Sequence, residues 1–182
     1  LYGIMGLSEL DYRNFYPVNI LGRGIGVIVT SPDAPWSSLT ELVEDAQSRP
    51  HEIRMGSTGP GGIPFTIAAL LGSVAELPVT AVPFDGEGPG LTALQGGHIE
   101  FMPVGASAAA DLIKAGTVKA LAVFESQEVA ALPGVPPITD EYPEVGALLP
   151  WGPFYGIFVH KDTPDDVKAA LTDAFAKAAS AE

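Results

Sequence analysis

Between residues 25 and 124, short β-branched runs alternate with helical patterns, and glycine or proline separates them. This alternation limits the fold more than any other feature. Residues 25–30, Ile-Gly-Val-Ile-Val-Thr, read as a buried strand, broken by Pro32 and Pro35. Ser38 with Glu41 three residues later makes a capping box. The helix it opens carries the apolar stripe Leu39, Leu42, Val43 and Ala46, and Pro50 stops it. Strands over 53–56, 79–84, 99–104 and 118–124 follow, with helices over 65–71, 89–94 and 106–115 between them. Gly96 and Gly116 suit the ends of the last two helices. Strand and helix in alternation imply βαβ units, hence an α/β fold with a largely parallel sheet.

Beyond residue 124 the pattern changes. Residues 132–143 are rich in proline and acid, as expected of a surface crossing. Residues 151–160 read as an aromatic strand, in which Trp151, Phe154, Tyr155 and Phe158 either fill a core, the default, or line a cleft. A last helix opens with Thr163 as N-cap and Pro164 at the first helical position. Val167, Leu171, Ala174, Phe175 and Ala178 form its expected buried face.

Composition narrows the function. The 182 residues carry 22 acidic against 9 basic side chains, a net charge of −13. That balance argues against nucleic acid or anionic lipid as partners, since both need a basic face. The chain has no cysteine, so it has no disulfide, thiol nucleophile or Cys-type zinc site. No run of about 18 apolar residues is present. The chain opens Leu1-Tyr2-Gly3 without Met, which reads as a processed or truncated start.

The segment richest in chemistry is Gly56-Ser57-Thr58-Gly59-Pro60-Gly61-Gly62, between a strand and a helix. Helix N-termini leave N–H groups unpaired and carry partial positive charge. Glycines admit a ligand close to the backbone, and Ser57 and Thr58 add hydroxyls. The turn therefore suits a carboxylate or phosphate, or it is a tight βα connection that binds nothing. Similar turns follow the next strands, at Phe84-Asp85-Gly86-Glu87-Gly88 and at Gly105-Ala106-Ser107. In a parallel sheet all of them share the carboxyl edge, where open α/β sheets bind ligands.

Other chemistries lack their residues. No lysine follows the glycines as in a Walker loop, and the spacing is not GxGxxG. His51, His98 and His160 show no metal-binding spacing, His98 reads as an exposed strand entry, and no GxSxG elbow is present. Neither a catalytic residue, a metal nor a cofactor is indicated. Asp140-Glu141 reads as solvated surface, and Asp165-Asp166 as first-turn helix charge.

The order of these segments resembles the substrate-binding proteins of tripartite tricarboxylate transporters, the Bug proteins. Residues 10–18, Leu-Asp-Tyr-Arg-Asn-Phe-Tyr-Pro-Val, resemble that family's "YDpxxDFxPV" stretch. The 57–62 turn resembles its "GpGs" loop, and Val82-Pro83-Phe84-Asp85-Gly86 its "VPYkG". Residues 94–100 resemble "LlgGhvd", residues 113–122 "ikaGklraLA", residues 132–136 "lPdVPT" and residues 151–164 "WfGlfaPkgtP". The similarity is collinear over nearly the whole chain.

The resemblance implies a periplasmic-binding-protein-like fold of the type II, Venus-flytrap kind, with two lobes joined by two crossing strands. Residues 26–150 would form one complete ligand-binding lobe, and residues 1–25 and 151–182 pieces of the other. Compared with the family, a leading strand with its Gly-rich loop and some trailing helices are absent from this chain. Phe84 stands where the family has Tyr, and Val104-Gly105 where it often has Asp, which implies a less polar pocket. The implied function is extracytoplasmic, periplasmic capture of a small carboxylate by a monomer that then docks on membrane permease subunits. The expected contacts are Ser57, Thr58, Gly59, Gly61, Gly62, Phe84, Gly86, Gly105, Ala106, Ser107 and Phe154. Alternative readings are a ligand-sensing effector domain of a regulator and an α/β hydrolase-type enzyme.

Overall fold

The structure, a computed structural model, describes residue 6 and residues 8–180. In chain order its elements are β1 (Phe15–Arg23), β2 (Gly26–Thr30), α1 (Leu39–Ser48), β3 (Arg54–Thr58), α2 (Ile63–Val74), β4 (Thr80–Phe84), α3 (Glu87–Gln95), β5 (Phe101–Gly105), α4 (Ala106–Lys114), β6 (Lys119–Val123), β7 (Phe154–His160) and α5 (Asp165–Ala179). They fall into two compact units, Gly24–Pro153 and Leu1–Arg23 with Phe154–Glu182.

The larger unit is built on a five-stranded sheet in the order β4-β3-β5-β2-β6. β3 runs parallel to β4 and to β5. β2 runs antiparallel to both neighbours, with Gly26 opposite Gly105 and Val27 opposite Val123. The expected parallel arrangement thus describes the direction of β3, β4, β5 and β6 but not of β2. Although β2 precedes β5 and β6 in the chain, it is inserted between them, and local periodicity carries no information about strand order.

Every residue of β2 and β5 is buried, which accounts for their unbroken apolar runs. Successive side chains point to opposite faces. Ile28 and Phe101 join one core with Leu39, Leu42, Ile67, Leu71 and Phe124, beneath α1 and α2. Val27, Val29, Met102 and Val104 join the other with Leu94 and Ala109, beneath α3 and α4. Polar groups lock the register where β3, β5 and β2 meet. The Glu100 carboxylate accepts from the Arg54 N–H (2.6 Å) and pairs with its guanidinium, and the Glu100 carbonyl accepts from the Thr30 hydroxyl (2.7 Å).

At the start of α1 the Ser38 hydroxyl accepts from the Glu41 N–H at 3.1 Å. The Glu41 carboxylate accepts from Ser37 rather than Ser38, so only half of the expected box forms. A carboxylate from far along the chain adds to the cap. Glu141 accepts from the Leu39 N–H (3.2 Å) and the Thr40 N–H (2.6 Å), and it is half-buried rather than solvated. Glu141→Ala is expected to lower stability by about 1–2 kcal/mol, because it removes two charge-assisted hydrogen bonds at a helix N-terminus. A urea titration that finds no loss would contradict this role.

The surroundings of Glu141 also differ from expectation. Leu132, Val135 and Ile138 are buried, Pro137 bridges to Val123, and short 3₁₀ turns span Ile138–Asp140 and Pro143–Leu148. Segment 132–143 is therefore a surface crossing in part only: Leu132, Val135 and Ile138 anchor it to the core, while Pro133, Gly134, Asp140 and Pro143 are exposed. Pro136 and Pro137 are half-buried and bring no N–H that would need a partner.

In the smaller unit β1 and β7 form an antiparallel ribbon, with Phe15 opposite His160 and Arg23 opposite Phe154. α5 packs along β1, and the Lys168 ammonium lies 5.5 Å from the centre of the Tyr16 ring. α5 begins at Asp165 with Pro164 as N-cap, one residue later than expected. Two sequence expectations are corrected here. α5 has no buried residue, so its apolar stripe from Val167 to Ala178 is not a core face among the described residues. Phe154, Tyr155 and Phe158 are 63%, 53% and 40% exposed, so they are not core either. The reason is that a two-stranded ribbon with one helix encloses little, and Val18 is the one buried residue described in this unit. Trp151 belongs to the larger unit, where it meets Phe124 edge-on at 6.5 Å.

Candidate ligand-binding site

Because β3, β4 and β5 run the same way, Thr58, Phe84 and Gly105 end at one edge of the sheet. The chain leaves these ends into the N-termini of α2, α3 and α4. The larger unit therefore gathers the expected turns where open α/β sheets bind ligands.

The first turn is shaped by its glycines. Gly61 has φ +89°, a conformation open to glycine at little cost. Gly62 is the N-cap of α2, and its N–H donates to the Gly59 carbonyl at 3.1 Å. A Cβ added at Gly62 would lie 1.9 Å from Thr58 Oγ1, so the hydroxyl sits directly against the Gly62 backbone. That Oγ1 is buried and has no hydrogen-bond partner. Ser57 is buried, and its hydroxyl donates to the Thr58 carbonyl at 3.0 Å, so it already has a partner within the strand. Gly59 and Pro60 are exposed.

In the second turn Gly86 is the N-cap of α3. Phe84 is half-buried and packs against the core beneath α3, with its ring edge 3.5 Å from where a Gly90 Cβ would be. In the third turn the two leading amides are engaged. The Gly105 N–H donates to Glu87 Oε1 at 2.8 Å, and the Ala106 N–H donates to the Ile25 carbonyl at 2.7 Å. Ser107 is exposed.

Glu87 falls within the second turn read from the sequence but has no expected contact of its own there. In the sequence it is one more acidic residue at the start of a helix. Only the placement of β4 and β5 on either side of β3 brings it to Gly105. Burial raises its carboxyl above the usual range, and the hydrogen bond from Gly105 offsets only part of that rise.

Phe154 lies in the smaller unit, whereas the other expected contacts lie in the larger one. It lines an apolar groove with Tyr12, Phe15, Pro17, Ile20 and Phe158, and its ring meets Phe158 edge-on at 6.0 Å. Among the described residues no cluster of His, Cys, Asp or Glu is arranged to hold a metal. No described helix is long and apolar enough to cross a membrane.

The family model described as the tripartite tricarboxylate transporter family receptor, TctC, matches residues 7–182. Protein BugT of Bordetella pertussis is 28% identical over 177 residues, which cover 93% of this chain and 52% of BugT. The MatC structure from Rhodopseudomonas palustris, with bound malate, is 26% identical with a TM-score of 0.82, over 97% of this chain and 60% of that one. A TctC solute binding protein from Polaromonas, solved without ligand, is 27% identical with a TM-score of 0.78, over 100% of this chain and 61% of that one. The chain thus spans about half the length of the curated relatives it matches. The matching family and fold are those of solute-binding receptors and not of enzymes. The collinear sequence match and the shared α/β fold agree, and the chain belongs to the tripartite tricarboxylate transporter receptor family.

Proposed function

We propose that this chain carries one ligand-binding lobe, and part of a second, of an extracytoplasmic receptor for a small carboxylate. Residues 26–150 act as one ligand-binding lobe, and residues 1–25 with 151–182 contribute to the other. The single observation that carries this reading is the 58–62 turn. It has an unpartnered Thr58 hydroxyl and a positive-φ glycine at the N-terminus of α2, in a chain of a receptor family. A carboxylate held there receives the Thr58 hydroxyl and the positive end of the helix. Gly59 leaves room for close approach and Gly61 supplies the positive-φ turn, while Ser57 holds the end of the strand. Phe84, Gly86 and Ser107 border the same edge. The MatC relative holds malate, which supports a carboxylate for this chain as well. The loaded monomer then delivers its ligand to the permease subunits of a tripartite tricarboxylate-type transporter in the periplasmic or equivalent space.

The test is calorimetry on the natural full-length protein against mono-, di- and tricarboxylates, aromatic acids and neutral sugars. At least one carboxylate is expected to bind with a Kd on the order of 1 μM, about −8 kcal/mol. Saturable binding of a sugar with no response to any carboxylate would refute the proposal.

A further inference from the structure

The third turn at the candidate site does not offer what an anion needs. Its Gly105 N–H, at the head of α4, is occupied by Glu87 Oε1 at 2.8 Å, and the next amide, that of Ala106, is held by Ile25. The chain has therefore put its own carboxylate where a second ligand carboxylate would otherwise meet a helix N-terminus. Glu87 is half-buried, and no cationic side chain pairs with it among the described residues. Oε1 is engaged by Gly105, whereas Oε2 accepts from none of the described groups. This side of the site thus presents a negative charge and a spare acceptor, which repel an anion and favour a hydrogen-bond donor or a cation.

We infer that Glu87 is a specificity-determining residue that directs the site toward monocarboxylates bearing an ammonium or hydroxyl donor at their far end, and away from dicarboxylates. The inference rests on the proposed reading that a ligand carboxylate is held at the 58–62 turn. The two turns then have opposite preferences: α2 receives the carboxylate, and Glu87 at the head of α4 receives the donor. The partly buried position of Glu87 strengthens the discrimination, because charge repulsion is screened less there than on an open surface.

Matched probes isolate the effect. Adipate against 6-aminohexanoate, and succinate against 4-aminobutyrate, exchange only the distal carboxylate for an ammonium. In calorimetry on the natural full-length protein, each amino acid is expected to bind at least about tenfold tighter than its matched dicarboxylate. Glu87→Gln keeps an acceptor for the Gly105 N–H and removes the charge, so the ratio is expected to shift toward the dicarboxylate by at least about tenfold. Glu87→Ser is expected to shift it the same way. A wild-type preference for the dicarboxylates, or ratios unchanged in both variants, overturns the inference while the carboxylate reading stands. If none of the four probes binds wild type or variants, and the wider carboxylate panel is equally silent, both fall.

Discussion

Phe101→Ala is expected to lower the stability of the Gly24–Pro153 unit by about 3–5 kcal/mol. Phe101 is completely buried at the start of β5, the middle strand of the sheet. It pairs with Thr30 on β2 and with Met55 on β3, so the cavity would open where the sheet is held from both sides. Its ring belongs to the core that joins Ile28, Leu39, Leu42 and Ile67. The two sheet neighbours prevent the backbone from collapsing into the space, which favours the upper part of that range. Domains of this kind are stable by only about 5–15 kcal/mol, so the variant would lie near the edge of folding. Phe101→Leu keeps most of the apolar volume and is expected to cost less than about 2 kcal/mol. Urea denaturation followed by circular dichroism provides the measurement. A Phe101→Ala midpoint close to the parent's would mean that this core is not the one that holds the unit together.

Gly61→Asp is expected to weaken binding of the tightest carboxylate in the panel by at least about 100-fold, near 2.7 kcal/mol. Two effects add. A non-glycine residue at φ +89° is strained, which disturbs the turn that brings Gly62 against the Thr58 hydroxyl. The new carboxylate also competes for the positive end of α2 and repels the ligand. Gly61→Ala carries the strain without the charge and separates the two contributions, with a smaller loss expected. The turn is open on its outer side, where Gly59 and Pro60 are exposed, so the fold is expected to survive both changes. Calorimetry together with a thermal melt checks this. Unchanged affinity in a folded Gly61→Asp protein would move the carboxylate away from this turn.

How much of this was legible depends on the range of the cause. The caps, stripes and breaks that set α1 to α4 are local, and Ser38, Gly62, Gly96 and Gly116 mark their ends as helix physics predicts. β1 was not legible from its residues: Pro17, Asn19 and Gly22 weaken a strand pattern, and only pairing with β7 makes the segment extended. The exposure of Phe154, Tyr155 and Phe158 was hidden for a related reason. An aromatic run reads as core until one knows how much chain is available to cover it.

Glu141 and Glu87 mark the limit most clearly. Glu141 reads as solvated surface, and Glu87 as one residue of a turn with no contact of its own. One caps a helix about 100 residues away in sequence, and the other holds the amide of Gly105. Neither contact has a sequence signature, because each depends on segments meeting that share no local pattern.

The sequence by itself determined the α/β class, the presence and approximate place of the helices, the glycine turn at 57–62 and the family, since all of these follow from spacing within a few residues or from collinear order. Only the tertiary structure decided that β2 runs against its neighbours, that Leu132, Val135 and Ile138 are buried, and that a carboxylate of the chain sits at the edge where a ligand is expected. Strand order and side-chain meetings are settled by which surfaces bury one another, and that is a property of the whole chain.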